Sequence, residues 1–167
     1  MQSNELNSIN RALKMACETN FGVLDKSFLC QSLSAIGPRA PLCVVEESPL
    51  QEVLNLFQSH RIGCVLVVDG AGKLSGIFSE RDFVLKVAVN FEALRHHPIA
   101  EFMTRSPMAQ SMDCTLAFAL NLMSHGGFRH IPIVDDDGIP IGSISVSDVI
   151  DYIVSSLTQA LLNFKTS

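Results

Sequence analysis

The chain has 167 residues, of which 47% are apolar and 17% charged, and its net charge at pH 7 is −5. This is enough apolar material for one compact domain, or for two small units that share a core, and it is not the composition of a disordered chain. A mildly acidic chain lacks the basic field that phosphate backbones require, so we expect no nucleic acid partner.

The cysteines and the apolar stretches predict a cytoplasmic protein. The five cysteines are odd in number and none are spaced as Cys-x-x-Cys, which favours neither a disulfide framework nor a zinc site. Residues 1–10 are polar and do not have the pattern of a signal peptide. Residues 149–164 are apolar but interrupted by polar side chains, so they predict an amphipathic helix and no membrane span.

Residues 1–38 form an N-terminal extension ahead of the rest of the pattern. Leu6, Ile9, Leu13 and Ala16 follow one another at helical spacing, which predicts an amphipathic helix. We expect this extension to pack against the remainder of the chain or against a partner subunit.

The rest of the chain is an internal repeat. Residues 39–85 align with residues 105–151 at an offset of 66 without a gap, and twelve of the 47 aligned positions are identical. Ordinary residue frequencies would give roughly three or four. The identical positions include both copies of a Gly-x-x-Ser-x-x-Asp motif, at residues 76–82 and 142–148. The chain is therefore a duplication.

Each copy predicts the same order of elements. In the first, a short strand at 42–45 precedes a helix for which Ser48 is the expected N-cap and Pro49 the first helical residue. A buried strand follows at 64–68, then a turn, a third strand that ends at Phe78 and a second helix that starts at Ser79. The unit is β-α-β-β-α.

A single unit of this size buries its sheet poorly, so two units are expected to share a core. The predicted fold is α/β (α+β), a pseudo-two-fold module with a cleft between its halves. Its parts are an N-terminal helical extension at 1–38, the first repeat at 39–90, a connector at 91–104, the second repeat at 105–158 and a tail at 159–167.

The motifs at 76–82 and 142–150, with the stretch 128–135, resemble the CBS domain, and the pair resembles a Bateman module over about residues 39–155. The resemblance implies a non-enzymatic regulatory module. It also implies an adenosine-containing ligand, most simply AMP, ADP or ATP, in the cleft between the repeats, with no other cofactor and no catalytic residue.

The resemblance also assigns ligand-binding residues. Asp82 and Asp148 would accept hydrogen bonds from ribose hydroxyls, and Ser79 and Ser145 would hold the ribose or the first phosphate. Backbone near the first strands would meet the adenine, and a cationic pair at the start of a strand would face the phosphate. Pro41, Val44 and Pro107 are the candidates for the adenine contact, and Arg129 and His130 form the cationic pair. The set also includes Arg81, Pro132, Gly142 and Ser147.

A simpler interpretation of the motif exists. Ser-x-x-Asp ahead of an apolar helix is also a capping box, in which Ser79 caps and Asp82 lies near the positive helix end. The two roles can coexist. The first repeat has Gly63 and Cys64 where the second has the cationic pair, which favours one good site over two. Arg81 either compensates for this difference or is solvated.

Two further motifs are set aside. The string at 70–75 resembles a P-loop but lacks its first glycine and its Ser or Thr, since Val67 and Leu74 stand at those positions. His96 and His97 have no further predicted ligands, so we expect a solvated connector and no metal site.

The alternative to a nucleotide sensor is a ligand-free interaction module that mediates dimerisation. In either case we expect a homodimer through helical faces, and a regulatory module also implies a protein partner that it regulates.

Overall fold

The computed structural model describes residues 26–164, so the helix predicted around Leu6 to Ala16 lies outside the described residues. The described chain begins with α1 (Lys26–Leu29) and a 3-10 turn (Leu33–Ala35). The first repeat then consists of β1 (Cys43–Val45), α2 (Leu50–His60), β2 (Cys64–Val68), β3 (Leu74–Ser79) and α3 (Glu80–Asp82). The chain goes on through a π-helical turn (Phe83–Val87), a 3-10 turn (Ala88–Asn90), α4 (Phe91–Leu94), a 3-10 turn (Ile99–Glu101) and β4 (Thr104–Arg105).

The second repeat contains four further elements: α5 (Leu116–Gly126), β5 (His130–Val134), β6 (Pro140–Ser145) and α6 (Val146–Phe164). The mixed α/β fold with two copies of one unit is thereby confirmed. The copies differ after their second hairpin strand, because α6 is a continuous helix of 19 residues. Its counterpart in the first repeat is divided among α3, the π-helical turn and a 3-10 turn.

Each repeat is built on an antiparallel hairpin, β2–β3 or β5–β6. The hairpin turns share one design, in which an aspartate accepts two backbone N–H groups. Asp69 accepts from Ala71 and Lys73, both at 2.9 Å, and Asp135 accepts from Asp137 and Ile139 at 3.0 and 2.8 Å. The aspartate-glycine turns predicted from the sequence are therefore structural features that direct the strands.

Each hairpin is flanked on both sides, and one of its flanking segments belongs to the other repeat. β1 pairs in parallel with β2, while β4, which leads into the second repeat, pairs antiparallel with β3. In the second sheet, Gln110 pairs in parallel with Ile133 and Arg39 pairs antiparallel with Ser143. This exchange places residues 39 and 104–105 beside the hairpin of the opposite repeat, where the two halves meet.

The two hydrophobic cores use the same exchange. The first core surrounds Val65 and Phe78 and includes Ile99 of the connector, while the second surrounds Ile131 and includes Leu33. Leu33 and Ile99 lie 66 residues apart and are both fully buried. Burial of such a side chain contributes about 1.5–3 kcal/mol each. The part of the N-terminal extension that the structure describes therefore packs against the second repeat, as one of the two expected arrangements.

The predicted start of the first helix was wrong. α2 begins at Leu50, with Pro49 in an extended conformation at the N-cap and no side-chain cap. Ser48 is buried instead, and its carbonyl accepts the N–H of Ile99 at 2.8 Å. The carbonyl of an N-cap residue normally accepts the first hydrogen bond within the helix, but the Ser48 carbonyl is bonded to the connector instead. In the second repeat Thr115 does cap α5, since its Oγ1 accepts the N–H of Phe118 at 3.3 Å.

Candidate functional site

Two cavities lie between the repeats, and each contains one motif aspartate. The Asp82 cavity has a volume of about 510 Å³ and is formed by the end of β3, the π-helical turn, residues 104–108 and residues 126–130. The Asp148 cavity, of about 370 Å³, is formed by Arg39, Ala40, Leu42, residues 61–64, Glu80, the start of β5, Ser143 and residues 145–148. Volumes of 300–1,000 Å³ are typical of small-molecule sites.

Asp82 lies at the end of a complete capping box. Ser79 Oγ donates to Asp82 Oδ2 at 2.7 Å, and the backbone N–H of Ser79 donates to the same oxygen at 3.0 Å. The N–H of Asp82 donates back to Ser79 Oγ at 3.3 Å. Three hydrogen bonds thus join Ser79 and Asp82, and they use only one oxygen of the carboxylate, Oδ2.

The second oxygen of Asp82 is held by two other side chains. Lys86 Nζ lies 2.7 Å from Asp82 Oδ1, and Thr104 Oγ1 donates to it at 3.3 Å. The same Lys86 ammonium also donates to the carbonyl of Phe102 at 2.8 Å. A ligand hydroxyl at this carboxylate must therefore share Oδ1 with Lys86 and Thr104, which is possible because an ionised carboxylate has about four acceptor sites.

The Asp148 carboxylate repeats the capping geometry. Ser145 donates to Asp148 Oδ2 through its backbone N–H at 2.7 Å and through its hydroxyl at 2.6 Å. Its other oxygen, Oδ1, lies 2.8 Å from the Arg39 guanidinium, whose side chain is 70% exposed. An ion pair with so exposed a partner contributes at most about 1 kcal/mol, so a ligand can recruit this arginine at little cost.

Both aspartates remain ionised at neutral pH. Burial has the largest single effect on the pKa of Asp82 and raises it, but hydrogen bonds from Lys86 and Ser79 together lower it below its ordinary value. The same balance lowers the pKa of Asp148, with burial opposed by Ser145 and Arg39. Each cavity therefore presents an acceptor-only carboxylate, which suits hydroxyl donors.

Arg129 and His130 line both cavities. From their position in the second repeat, the sequence associates this pair with Asp148 alone. The structure brings the starts of β2 and β5 together between the cavities. A Cβ atom at Gly63 would lie 3.0 Å from His130 Nε2, so glycine at that position leaves the space that the histidine occupies.

The surroundings of His130 keep its ring mostly neutral. Burial and then the Arg129 charge hold the pKa of His130 below its ordinary value, while Asp148 and Glu80 act in the opposite direction. Cys64, at the equivalent position of the first repeat, is buried, and burial with the Asp148 and Glu80 charges raises the pKa of its thiol to about 12. The first repeat thus contributes a neutral thiol where the second contributes an imidazole.

Each cavity is lined by one further arginine close to a helix C-cap. Arg81 lines the Asp82 cavity and donates to the carbonyl of Gly127 at 2.7 Å, so it is neither fully solvated nor independent of the second repeat. Arg61 lines the Asp148 cavity at the C-cap of α2, in the left-handed conformation with φ 51°. Gly127 holds the equivalent C-cap of α5 with φ 65°.

The predicted site residues fall into three groups. The cavities are lined by most of them: Ser79, Arg81, Asp82, Pro107, Arg129, His130, Ser145, Ser147 and Asp148. Val44 and Pro132 are buried in strands, and neither they nor Pro41 line the two cavities. Gly142 lines neither cavity, and a Cβ atom there would lie 2.8 Å from Pro38 Cβ, next to Arg39.

Sequence reasoning missed seven polar residues of the cavities: Arg39, Arg61, Glu80, Lys86, Thr104, Ser106 and Ser143. Lys86 follows Asp82 by four residues, a spacing that predicts an ion pair on a helix. Arg39 is identical to Arg105 in the repeat alignment, which marked it without assigning it a role. Thr104 and Arg61 gave no comparable signal.

The described residues contain neither a group of possible metal ligands nor a membrane-spanning helix. Within residues 26–164, no group of three or more His, Cys, Asp or Glu side chains could hold a metal ion. The connector histidines have local partners, since His97 Nδ1 lies 3.0 Å from Glu101 Oε2. Over the same described range no helix has both the length and the apolar character needed to cross a bilayer.

Comparison with known proteins identifies the family. The CBS domain family matches residues 34–88 and 99–155, so the chain belongs to this family and contains two CBS domains. An uncharacterized 17.7 kDa protein of Acidianus ambivalens is 31% identical over 117 residues, which make up 70% of this chain and 65% of that protein.

Two solved structures have the same fold. The CBS-domain containing protein ATU1752 from Agrobacterium tumefaciens is 30% identical, with a TM-score of 0.64 over 71% of this chain and 93% of that one. A structure of CBSX2 in complex with AMP is 22% identical, with a TM-score of 0.64 over 74% of this chain and 96% of that one. At that level of identity the second likeness shows the fold alone.

Proposed function

We propose that this chain is a regulatory module that binds an adenosine-containing ligand, most simply AMP, ADP or ATP, in the cavities between its CBS repeats. The observation that carries the proposal is the pairing, in each cavity, of an ionised motif aspartate with nearby arginines. The carboxylate suits the two ribose hydroxyls, and the cations suit a phosphate. The complex of the related CBSX2 with AMP supports this choice of ligand.

The lining of the Asp82 cavity supports the same ligand. Met108, Phe128 and Leu85 contribute an apolar wall, and Asp82 and Lys86 contribute polar groups. A base stacked on the apolar wall would leave its ribose near the carboxylate and its phosphate near Arg129. Pro107, in the same wall, is where we place the contact with the adenine edge.

Regulation would follow from the arrangement of the cavities between the two repeats. A ligand that touches both repeats, and has different affinities for two relative orientations, shifts the population between them. We infer that this change is passed to a protein partner or to the geometry of a homodimer, and that the module itself carries out no reaction.

The four cysteines that the structure describes are free, which supports a reducing, cytoplasmic location.

Thermal unfolding with AMP, ADP, ATP, NAD and S-adenosylmethionine tests the proposal. At a ligand concentration of 100 Kd, binding adds about 2.7 kcal/mol to the free energy of unfolding. For a chain of this size that is a rise in Tm of roughly 5–10 °C. Asp82→Asn and Asp148→Asn should reduce the shift. Asp136→Asn, a change in an exposed hairpin turn, is the matched control and should leave it intact.

The result that rejects nucleotide binding is a Tm unchanged by all five compounds. If the ligand raises the Tm of the Asp82→Asn and Asp148→Asn double variant as much as that of the control, the ligand binds outside these cavities.

A second candidate function is a ligand-free interaction module. It is favoured by the exposed apolar side chains Val84, Leu85 and Val89 after Asp82, which are 63%, 70% and 93% exposed, and by Ile150 and Val154 one turn apart on α6. Such faces suit a homodimer through helices. Light scattering after size exclusion separates the two functions. A dimer whose size and stability ignore AMP supports the interaction module, and Val154→Glu should then weaken the dimer.

A further inference from the structure

Arg129 and His130 line both cavities, and Arg129 is the permanent cation of the two. The equivalent residues of the first repeat are Gly63 and Cys64, and any Cβ at residue 63 would crowd the His130 ring. A side chain at residue 63 would therefore require the His130 ring to move by a few tenths of an ångström. The small residues of the first repeat, which look in the sequence like the loss of a phosphate site, leave space beside a pair that lines both cavities.

The remaining charges make both cavities dependent on this pair. The Asp82 cavity is lined by three permanent cations, Arg81, Lys86 and Arg129, and by one carboxylate. Arg81 and Lys86 are already engaged by the Gly127 carbonyl and by Asp82, respectively. Arg129 is therefore the permanent cation there for which the structure gives no such competing contact.

The Asp148 cavity depends on the pair even more. It is also lined by three permanent cations, Arg39, Arg61 and Arg129, but by two carboxylates, Glu80 and Asp148. Without Arg129 the formal charges of its lining cancel, so a phosphate would gain little from entering it. The Asp148 cavity has the smaller excess of positive charge, and that excess depends on Arg129, which also lines the Asp82 cavity.

We infer that the two cavities bind phosphorylated ligands with negative cooperativity, because two phosphate groups compete for Arg129 and His130. This inference rests on the proposed function. A nucleotide in the Asp82 cavity, which has the larger excess of cations, occupies the pair and leaves the Asp148 cavity without it. The second nucleotide also meets the negative charge of the first. Adenosine is neutral and has no phosphate to interact with Arg129 and His130, so the coupling depends on the phosphate. As the nucleotide concentration rises, the module then binds one nucleotide first and a second one over a separate and higher range.

Isothermal titration of the full chain with adenosine and with AMP tests the inference. For adenosine we expect two sites per chain of similar affinity. For AMP we expect two binding steps. The ratio of their dissociation constants should be about ten times the ratio found for adenosine, which is within the usual range of coupling between sites. Higher ionic strength should narrow the gap for AMP and leave that for adenosine unchanged.

Two variants separate coupling from sites that merely differ. Met108 is 58% exposed and lines the Asp82 cavity, so Met108→Trp fills that cavity with neutral bulk. AMP should then bind once, in the Asp148 cavity, about tenfold more tightly than in the second step of the original chain. Arg129→Gln should weaken both AMP steps and neither adenosine step, whereas the control Arg95→Gln, in the connector, should change none of them.

The failures are distinguishable. If neither adenosine nor AMP binds, the shared pair is refuted, whereas the proposed function is rejected only if the thermal shifts with ADP, ATP, NAD and S-adenosylmethionine are absent as well. If both bind and the AMP gap equals the adenosine gap, or if Met108→Trp leaves the AMP constant of the Asp148 cavity at its second-step value, nucleotide binding stands and the shared pair is refuted. Adenosine that binds once per chain also refutes it, because two cavities are then not available.

Discussion

Arg61 combines an unfavourable backbone conformation with a place in the Asp148 cavity, so its replacement should separate stability from binding. It has φ 51° and ψ 46° at the C-cap of α2. For a residue with a side chain the left-handed conformation costs about 1–2 kcal/mol, and glycine adopts it freely. Glycine also loses roughly 0.5–1 kcal/mol through the greater entropy of the unfolded chain. Arg61→Gly should therefore stabilise the protein by about 0.5–1 kcal/mol, or roughly 1–4 °C in Tm.

The equivalent position supplies the opposite control. Gly127 has φ 65°, and a Cβ atom there would meet nothing within 4 Å, so Gly127→Ala changes the backbone cost and no packing contact. It should destabilise by about 1 kcal/mol. Urea unfolding of the two variants measures both effects.

Binding should change in the reverse direction. Arg61→Gly removes one of the three permanent cations that line the Asp148 cavity, so we expect weaker AMP binding there and unchanged adenosine binding. Backbone strain of this kind is often kept at functional sites. An Arg61→Gly protein that is no more stable than the original would refute the strain, and AMP binding that is unaffected would refute the role in the cavity.

Three further predictions concern the same region. Gly142→Ala brings a Cβ atom to 2.8 Å from Pro38, so it should cost about 1–3 kcal/mol in urea unfolding; Gly70→Ala, which meets nothing within 4 Å, should be close to neutral, and equal effects would contradict the packing argument. The folded pKa of Asp148 lies below the ordinary 3.8, so the unfolded chain binds more protons in that range, and the stability from this group is lost as pH falls through the folded pKa. Asp148→Asn should flatten the loss of unfolding free energy below about pH 4, and an unchanged slope would count against it. His130 has its pKa lowered by burial and Arg129, against Asp148 and Glu80, so a bound phosphate should raise it, and AMP binding near pH 6.5 should take up a proton. Calorimetry in two buffers of different ionisation enthalpy measures that uptake, which should be smaller in His130→Gln; equal uptake by the two proteins would exclude His130 as its source.

The repeat, the strands and the capping boxes were predictable because each depends on residues that are close in sequence. The strand at 64–68 and the turns at Asp69 and Asp135 follow from local pattern alone. The capping and ligand interpretations of the motif were both left open. The capping contacts are present in both copies, and they leave Oδ1 of each aspartate outside the box.

The composition of each cavity was not predictable in the same way. It depends on the exchange of flanking segments, which brings Arg39 to Asp148 and Thr104 to Asp82 across the repeat boundary. The 66-residue register reports which residues are equivalent, but it does not report which equivalent residues meet. The same gap led the sequence to associate Arg129 with one aspartate. Nothing in residues 83–87 explains the π-helical turn that places Lys86 on Asp82.

The most direct test of nucleotide binding between the repeats is a crystal structure of the full chain grown with AMP. The account predicts the ribose hydroxyls about 3 Å from the carboxylate of Asp82, of Asp148 or of both, with the phosphate against Arg129. AMP bound elsewhere, or both cavities free of AMP at a concentration well above its measured dissociation constant, would contradict it.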